Sequence, residues 1–138
     1  MEVMEPYIHK VQYYETDKMQ ITHHSNYIRF MEEARVDFLE KLGWGYDKME
    51  EQGIASPVVS VSCEYKKPTT YPDSISIAVT VRQCTAVKLT LGYTMSTKDG
   101  VACTATSVHC FIGKDGRPLL IEKAFPDFYK LLKSIIQE

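Results

Sequence analysis

Residues 15–27 run Glu-Thr-Asp-Lys-Met-Gln-Ile-Thr-His-His-Ser-Asn-Tyr, concentrating acid, imidazole and phenol directly ahead of a helical pattern. Thr22 is the expected N-cap, which places His23, His24 and Ser25 in the first helical turn. The amide N–H groups there lack intrahelical acceptors and stand at the positive end of the helix dipole. Such a place suits an anion, including one that exists only in a transition state. Asp17 precedes the helix by a short loop that could fold its carboxylate back over the helix end. A carboxylate acting as base or nucleophile beside an N–H electrophile is the minimum equipment for acyl transfer. The same spacing also suits an acid that only caps a turn or the dipole, and spacing alone leaves both readings open.

Other chemistry fits less well. Neighbouring helical residues point about 100° apart, so His23 and His24 cannot share one metal ion, and no His-x-x-x-His pair occurs. No metal site is expected. Tyr14 and Tyr27 read either as core aromatics or as substrate contacts, and Lys66-Lys67 as a solvated strand end or a phosphate clamp. Glu32 and Arg35, three residues apart, read as an ion pair on the helix surface. No Gly-x-Ser-x-Gly, Walker or dinucleotide glycine pattern appears, so serine hydrolases and nucleotide folds lose support.

The elements that must position these groups follow from periodicity. A first strand is expected over 6–14. From 23 to 42, Tyr27, Ile28, Met31, Ala34, Phe38, Leu39 and Leu42 recur at steps of three and four, and Gly43 stops the helix. A shorter helix is expected at 47–52. The period then falls to two, predicting strands over 58–67, 74–82, 87–96 and 101–112, with a final helix over 126–137. Pro68–Ser74, Cys84–Ala86 and Lys98-Asp99-Gly100 read as hairpin connections, the last as a primed turn. Consecutive hairpins make an antiparallel sheet with one apolar face to cover. The 23–42 helix, about 30 Å long, is the one element able to cover it. An α+β fold with the sheet wrapped around one central helix is therefore expected, as a single domain over 1–138.

Composition sets the outer bounds. The 138 residues are 44% hydrophobic and 25% charged, ordinary values for a globular chain. A net charge of −2 argues against a nucleic-acid partner. No signal-peptide order and no apolar run of ~18 residues is present, so a cytoplasmic location without a membrane span is expected. Cys63, Cys84, Cys103 and Cys110 show no Cys-x-x-Cys spacing and are expected to be free thiols.

Over nearly its whole length the sequence resembles the hotdog-fold acyl-CoA thioesterases, specifically the 4-hydroxybenzoyl-CoA thioesterase family and its YbgC-like branch. Two segments carry the resemblance. Residues 13–35 look like that family's Tyr-x-Thr-Asp, followed by His and Tyr seven and ten residues after the Asp, then Glu and Arg along the helix. Residues 63–77 look like its Tyr-x-x-Pro-x-x-x-x-Asp segment. The resemblance implies an acyl-CoA thioesterase that hydrolyses its substrate to free acid and CoA. It implies no cofactor, since CoA is part of the substrate. Asp17 falls on the family's catalytic acid, as base or nucleophile. His24 falls where a helix-start N–H polarises the carbonyl and where, in that branch, the imidazole is also implicated. Tyr14 matches an active-site aromatic and Tyr27 the helix tyrosine. One departure stands out: Gln20 occupies the place of a frequent Gly and is expected to touch substrate.

A sheet wrapped on one helix leaves unpaired edges. Pairing in a homodimer, or a homotetramer as the family implies, would close a tunnel for an acyl-CoA or acyl-carrier-protein thioester. Each site would combine Asp17 and His24 of one subunit with the 56–67 segment of its partner. Ser60, Lys66, Lys67 and Arg82 are placed among the substrate contacts, the three cations as candidates for the CoA phosphates. The competing readings are a hotdog hydratase or dehydratase, and a non-catalytic module that binds acyl-CoA or acyl-carrier protein.

Overall fold

The computed structural model describes residues 4–137. The chain runs β1 (Tyr7–Lys10), a 3-10 turn (Tyr13–Glu15), α1 (Asn26–Lys41), α2 (Tyr46–Glu51), β2 (Val58–Tyr65), β3 (Ser74–Cys84), β4 (Leu89–Thr97), β5 (Gly100–His109), α3 (Ile121–Ala124) and α4 (Pro126–Ser134). All strand pairings in the five-stranded sheet are antiparallel, in the order β1-β3-β4-β5-β2. The α+β hotdog architecture expected from the sequence is the one observed.

Helix α1 lies against the inner face of the sheet and is about 24 Å long at 1.5 Å per residue. It turns Tyr27, Phe30, Met31, Ala34, Phe38 and Leu39 inward, where they meet Ile75, Ile77, Leu91, Tyr93, Met95 and Cys103 of the strands. Phe30 belongs to this buried face and Ile28 does not: Ile28 is half-exposed because it sits one step of about 100° away from Tyr27. Gly43 follows the helix at φ +83°, a left-handed residue that ends it. The four cysteines are free thiols.

Five expectations need correction. Strand β1 spans only Tyr7–Lys10, because residues 13–15 coil into the 3-10 turn. Helix α1 begins at Asn26 with Ser25, not Thr22, at its cap. Thr22 is extended instead: it bridges Thr16 and sends both its N–H (2.8 Å) and its hydroxyl (3.2 Å) to the Thr69 carbonyl. The Pro68–Ser74 segment is no hairpin. Strand β2 pairs with β5, so residues 66–73 cross the end of the sheet to reach β3. The Lys98–Asp99 turn is not primed either. Neither residue has positive φ, and the left-handed step falls on Gly100 (φ +112°).

Arg35 is the fifth correction. It is 8% exposed and pairs with no carboxylate among the described residues. Its Nε donates to the Tyr46 hydroxyl (2.8 Å) and its Nη1 to the Tyr93 hydroxyl (3.4 Å). A guanidinium can only donate, so the Tyr93 oxygen accepts from it, and the line continues through Ser107 Oγ, 2.6 Å from the Tyr93 hydroxyl, to His109 Nε2, 2.7 Å further on. His109 Nδ1 is buried without a partner. Burial first and the Arg35 charge second push the His109 imidazole down to about 4, so it is neutral at neutral pH.

Candidate active site

The Asp17 loop is a small closed structure. Residues Thr16 and Thr22 bridge at its neck, the Asp17 N–H donates to the Ile21 carbonyl (2.9 Å), and the Gln20 N–H donates to the Asp17 carbonyl (2.9 Å). Closing so short a loop forces one left-handed residue, and Gln20 takes it at φ +66°. It is the one non-glycine residue with positive φ among the described residues. This gives the sequence departure a physical meaning: the backbone keeps the shape that glycine adopts freely, with an exposed amide side chain added. The Thr70 hydroxyl holds the Gln20 carbonyl at 2.6 Å.

The loop rests on the 66–73 crossover. Thr69, buried, donates its hydroxyl to Thr22 Oγ1 (2.6 Å), which leaves its oxygen to accept the Tyr27 hydroxyl (2.9 Å). Burial raises the Tyr27 phenol pKa, partly offset by this bond to Thr69. Tyr65, at the end of β2, stands edge-on to Tyr27 with ring centres 5.1 Å apart and donates its hydroxyl to the His24 carbonyl (3.3 Å). Loss of water around the Tyr65 phenol, with the Cys63 thiol as a second cause, pushes it up to about 12. It therefore remains a protonated donor at any physiological pH.

These elements enclose an open cleft of about 410 Å³ lined by Asp17, Ile21, Thr22, His24, Tyr27, Tyr65, Lys66, Lys67 and Pro68. One Asp17 oxygen accepts the Met19 N–H at 2.8 Å, so the carboxylate does cap its own turn while it also faces the cleft. At the helix start, four of the five amides from His23 to Tyr27 have acceptors. His23 donates to the Glu15 carbonyl, Ser25 to His23 Nδ1, Asn26 to the His23 carbonyl and Tyr27 to the His24 carbonyl. The His24 N–H is the exception: none of the hydrogen bonds among the described residues uses it. Asp17 and His24, the residue with the unused backbone donor, thus line one cleft.

Of the residues singled out in the sequence, Asp17, His24, Tyr27, Lys66 and Lys67 come together here. Lys67 also donates to the Asp99 carbonyl (2.7 Å), and Lys66 lies 3.8 Å from Glu64. Tyr14, Gln20 and Ser60 are exposed and do not line the cleft. Arg82 is elsewhere. It borders a second cleft with Tyr129 and Lys133, eight residues along β3 from Ser74 and so about 26 Å from the crossover end. Sequence reasoning missed Glu15, Asn26, Thr69 and Tyr65. The Gln12-x-x-Glu15 spacing, a capping signature, was a local signal for Glu15, and Tyr65 opens the Tyr-x-x-Pro stretch at 65–68.

The comparisons with known proteins now bear on this geometry. Residues 11–132 match the Thioesterase-like superfamily. The chain belongs to that superfamily. A protein of Aquifex aeolicus, provisionally named an esterase, is 37% identical over 117 residues, 85% of this chain and 91% of that one. A Bacillus subtilis protein provisionally named acyl-CoA thioesterase YneP is 35% identical over 122 residues, 87% and 88% of the two chains. Among solved structures, the DHNA-CoA thioesterase from Staphylococcus aureus superposes with a TM-score of 0.89 at 31% identity, covering 94% of this chain and 89% of its own. No helix among the described residues is long and apolar enough to cross a membrane.

Proposed function

We propose that this superfamily member is an acyl-CoA thioesterase of the YbgC-like branch, acting as one domain without a cofactor. The unused His24 N–H carries the reading, because His24 and Asp17 line the same cleft. A thioester carbonyl placed there would receive a hydrogen bond from the His24 N–H as negative charge grows on its oxygen. Asp17 then acts in one of two ways. As a base it takes a proton from water, whose oxygen adds to the carbonyl; the tetrahedral species collapses and expels CoA thiolate, which is reprotonated. As a nucleophile its oxygen displaces CoA thiolate, which is protonated as it leaves, giving an acyl–aspartyl anhydride that water hydrolyses to the free acid and the Asp17 carboxylate. Tyr65 keeps the helix start in place by holding the His24 carbonyl. Lys66 and Lys67 at the rim are the cations nearest to receive CoA phosphates.

The edge position of β2 supports a homodimer. Val58, Val59 and Val61 leave 45%, 51% and 36% of their surface exposed on a strand with one free side, a combination that single chains rarely leave open. Residues 65–68 already reach Asp17 within one chain, so a second copy would add the 56–63 stretch, Ser60 included, as the far wall. The deciding experiment measures thiol release from a panel of aromatic and aliphatic acyl-CoAs. Turnover of at least one member supports the proposal. Tight acyl-CoA binding without thiol release would replace it with a binding module, and water addition to an enoyl chain with a hydratase.

A further inference from the structure

Outside the cleft, the most completely enclosed charged group near the site is Glu15, which is 2% exposed. A buried carboxylate is costly unless donors surround it, and Glu15 Oε1 has two. The Gln12 N–H donates at 2.7 Å, and His9 Nε2, reaching over from β1, donates at 2.9 Å. The His9 ring lies on Phe30 of α1 with centres 4.1 Å apart, and its other nitrogen is 3.8 Å from Glu33. His9, carried on strand β1 and packed against helix α1, therefore holds the Glu15 side chain.

The backbone of the same residue ties the loop to the helix. The Glu15 carbonyl accepts the His23 N–H (2.9 Å) and the Asn26 side-chain amide (2.9 Å). It is thus tied to the residue just before His24 and to the first residue of α1. Asp17 lies two residues beyond Glu15, and the loop between is closed by the Thr16–Thr22 bridge. The distance from the Asp17 carboxylate to the His24 N–H is therefore set at the Glu15 peptide, and the peptide is immobilised by its side chain.

Resting on the thioesterase reading, we propose that Glu15, anchored by His9, is a positioning residue that fixes the Asp17 loop against the helix start. It touches no substrate. A misplacement near 1 Å costs about 10²-fold in rate, so Glu15→Ala should lower kcat about 10- to 100-fold with KM within about threefold. Glu15→Gln keeps the acceptor oxygen and should restore most of the rate. The role runs through Asp17, so Glu15→Ala added to Asp17→Asn should leave the residual rate unchanged. Amide exchange supplies a readout independent of turnover: the Met19 and His23 N–H groups should exchange at least about tenfold faster in Glu15→Ala, with β3 and β4 amides unaffected.

Equal losses in both backgrounds, an effect on KM alone, or unchanged exchange at Met19 and His23 would each overturn the proposal. If Glu15→Ala does not fold, His9→Leu removes one donor only and His9→Gln replaces it, and the same comparison applies. A wild-type protein that hydrolyses no thioester would defeat the proposed function, while the exchange data would still decide whether Glu15 fixes the loop.

Discussion

Asp17, His24 and Gln20 make separable predictions at the scale of single residues. Asp17→Asn removes a negative base at nearly constant volume, so kcat should fall by about 10²-fold or more while the melting temperature holds. A rate within a few-fold of wild type would end the assignment. In the proposed mechanism His24 acts through its backbone, since its exposed ring stacks on His23 (4.3 Å) rather than bonding to Asp17. His24→Ala should therefore keep most of kcat, and a loss as deep as that of Asp17→Asn would transfer the work to the imidazole. Gln20→Gly tests the strained position. Relief of the left-handed backbone gains about 1 kcal/mol, and the freer unfolded chain costs about 0.4–1 kcal/mol. The urea midpoint should barely move. A fall of a few-fold in kcat/KM would then report the lost amide itself, and an unchanged kcat/KM would remove Gln20 from the substrate contacts.

Between helix and sheet, the line Arg35–Tyr93–Ser107–His109 makes a prediction about pH. The His109 imidazole sits at about 4 when folded and near 6.5 when unfolded, so it contributes nothing above pH 6.5, where both states are neutral. Below that the unfolded chain binds the proton first, and stability falls as pH drops from 6.5 to about 4, then levels off. The full loss is roughly 3 kcal/mol. Urea titrations at pH 7 and 4.5 on wild type and His109→Gln should show a smaller drop in the variant, and equal drops would refute the account. Legibility in the sequence divides along the same lines. The strands and the helix were legible because their periods are local, and Asp17 with His24 because both lie in one short motif. Arg35 was misread because spacing to Glu32 says nothing of Tyr46 or Tyr93, which reach it only after folding. Thr69 was invisible for the same reason: its partners Thr22 and Tyr27 are more than forty residues away.

For the whole molecule, the free side of β2 is the feature to test. Sedimentation at micromolar concentration should show a dimer or larger, and Val59→Lys on that strand should shift it toward monomer with loss of activity. A fully active monomer would refute the shared wall. The strand order has a second outcome, in time rather than space. Asp17 follows β1 at one border of the sheet, and Tyr65 to Pro68 lie at the end of β2 and just past it at the other. The 66–73 crossover that joins them can settle only once β2 has docked on β5, a pairing of residues about forty to fifty apart in the chain. Long-range pairings form slowly. During refolding from urea, helical signal should return first and catalytic competence last, so a nascent chain holds no working site until its final strand is in place.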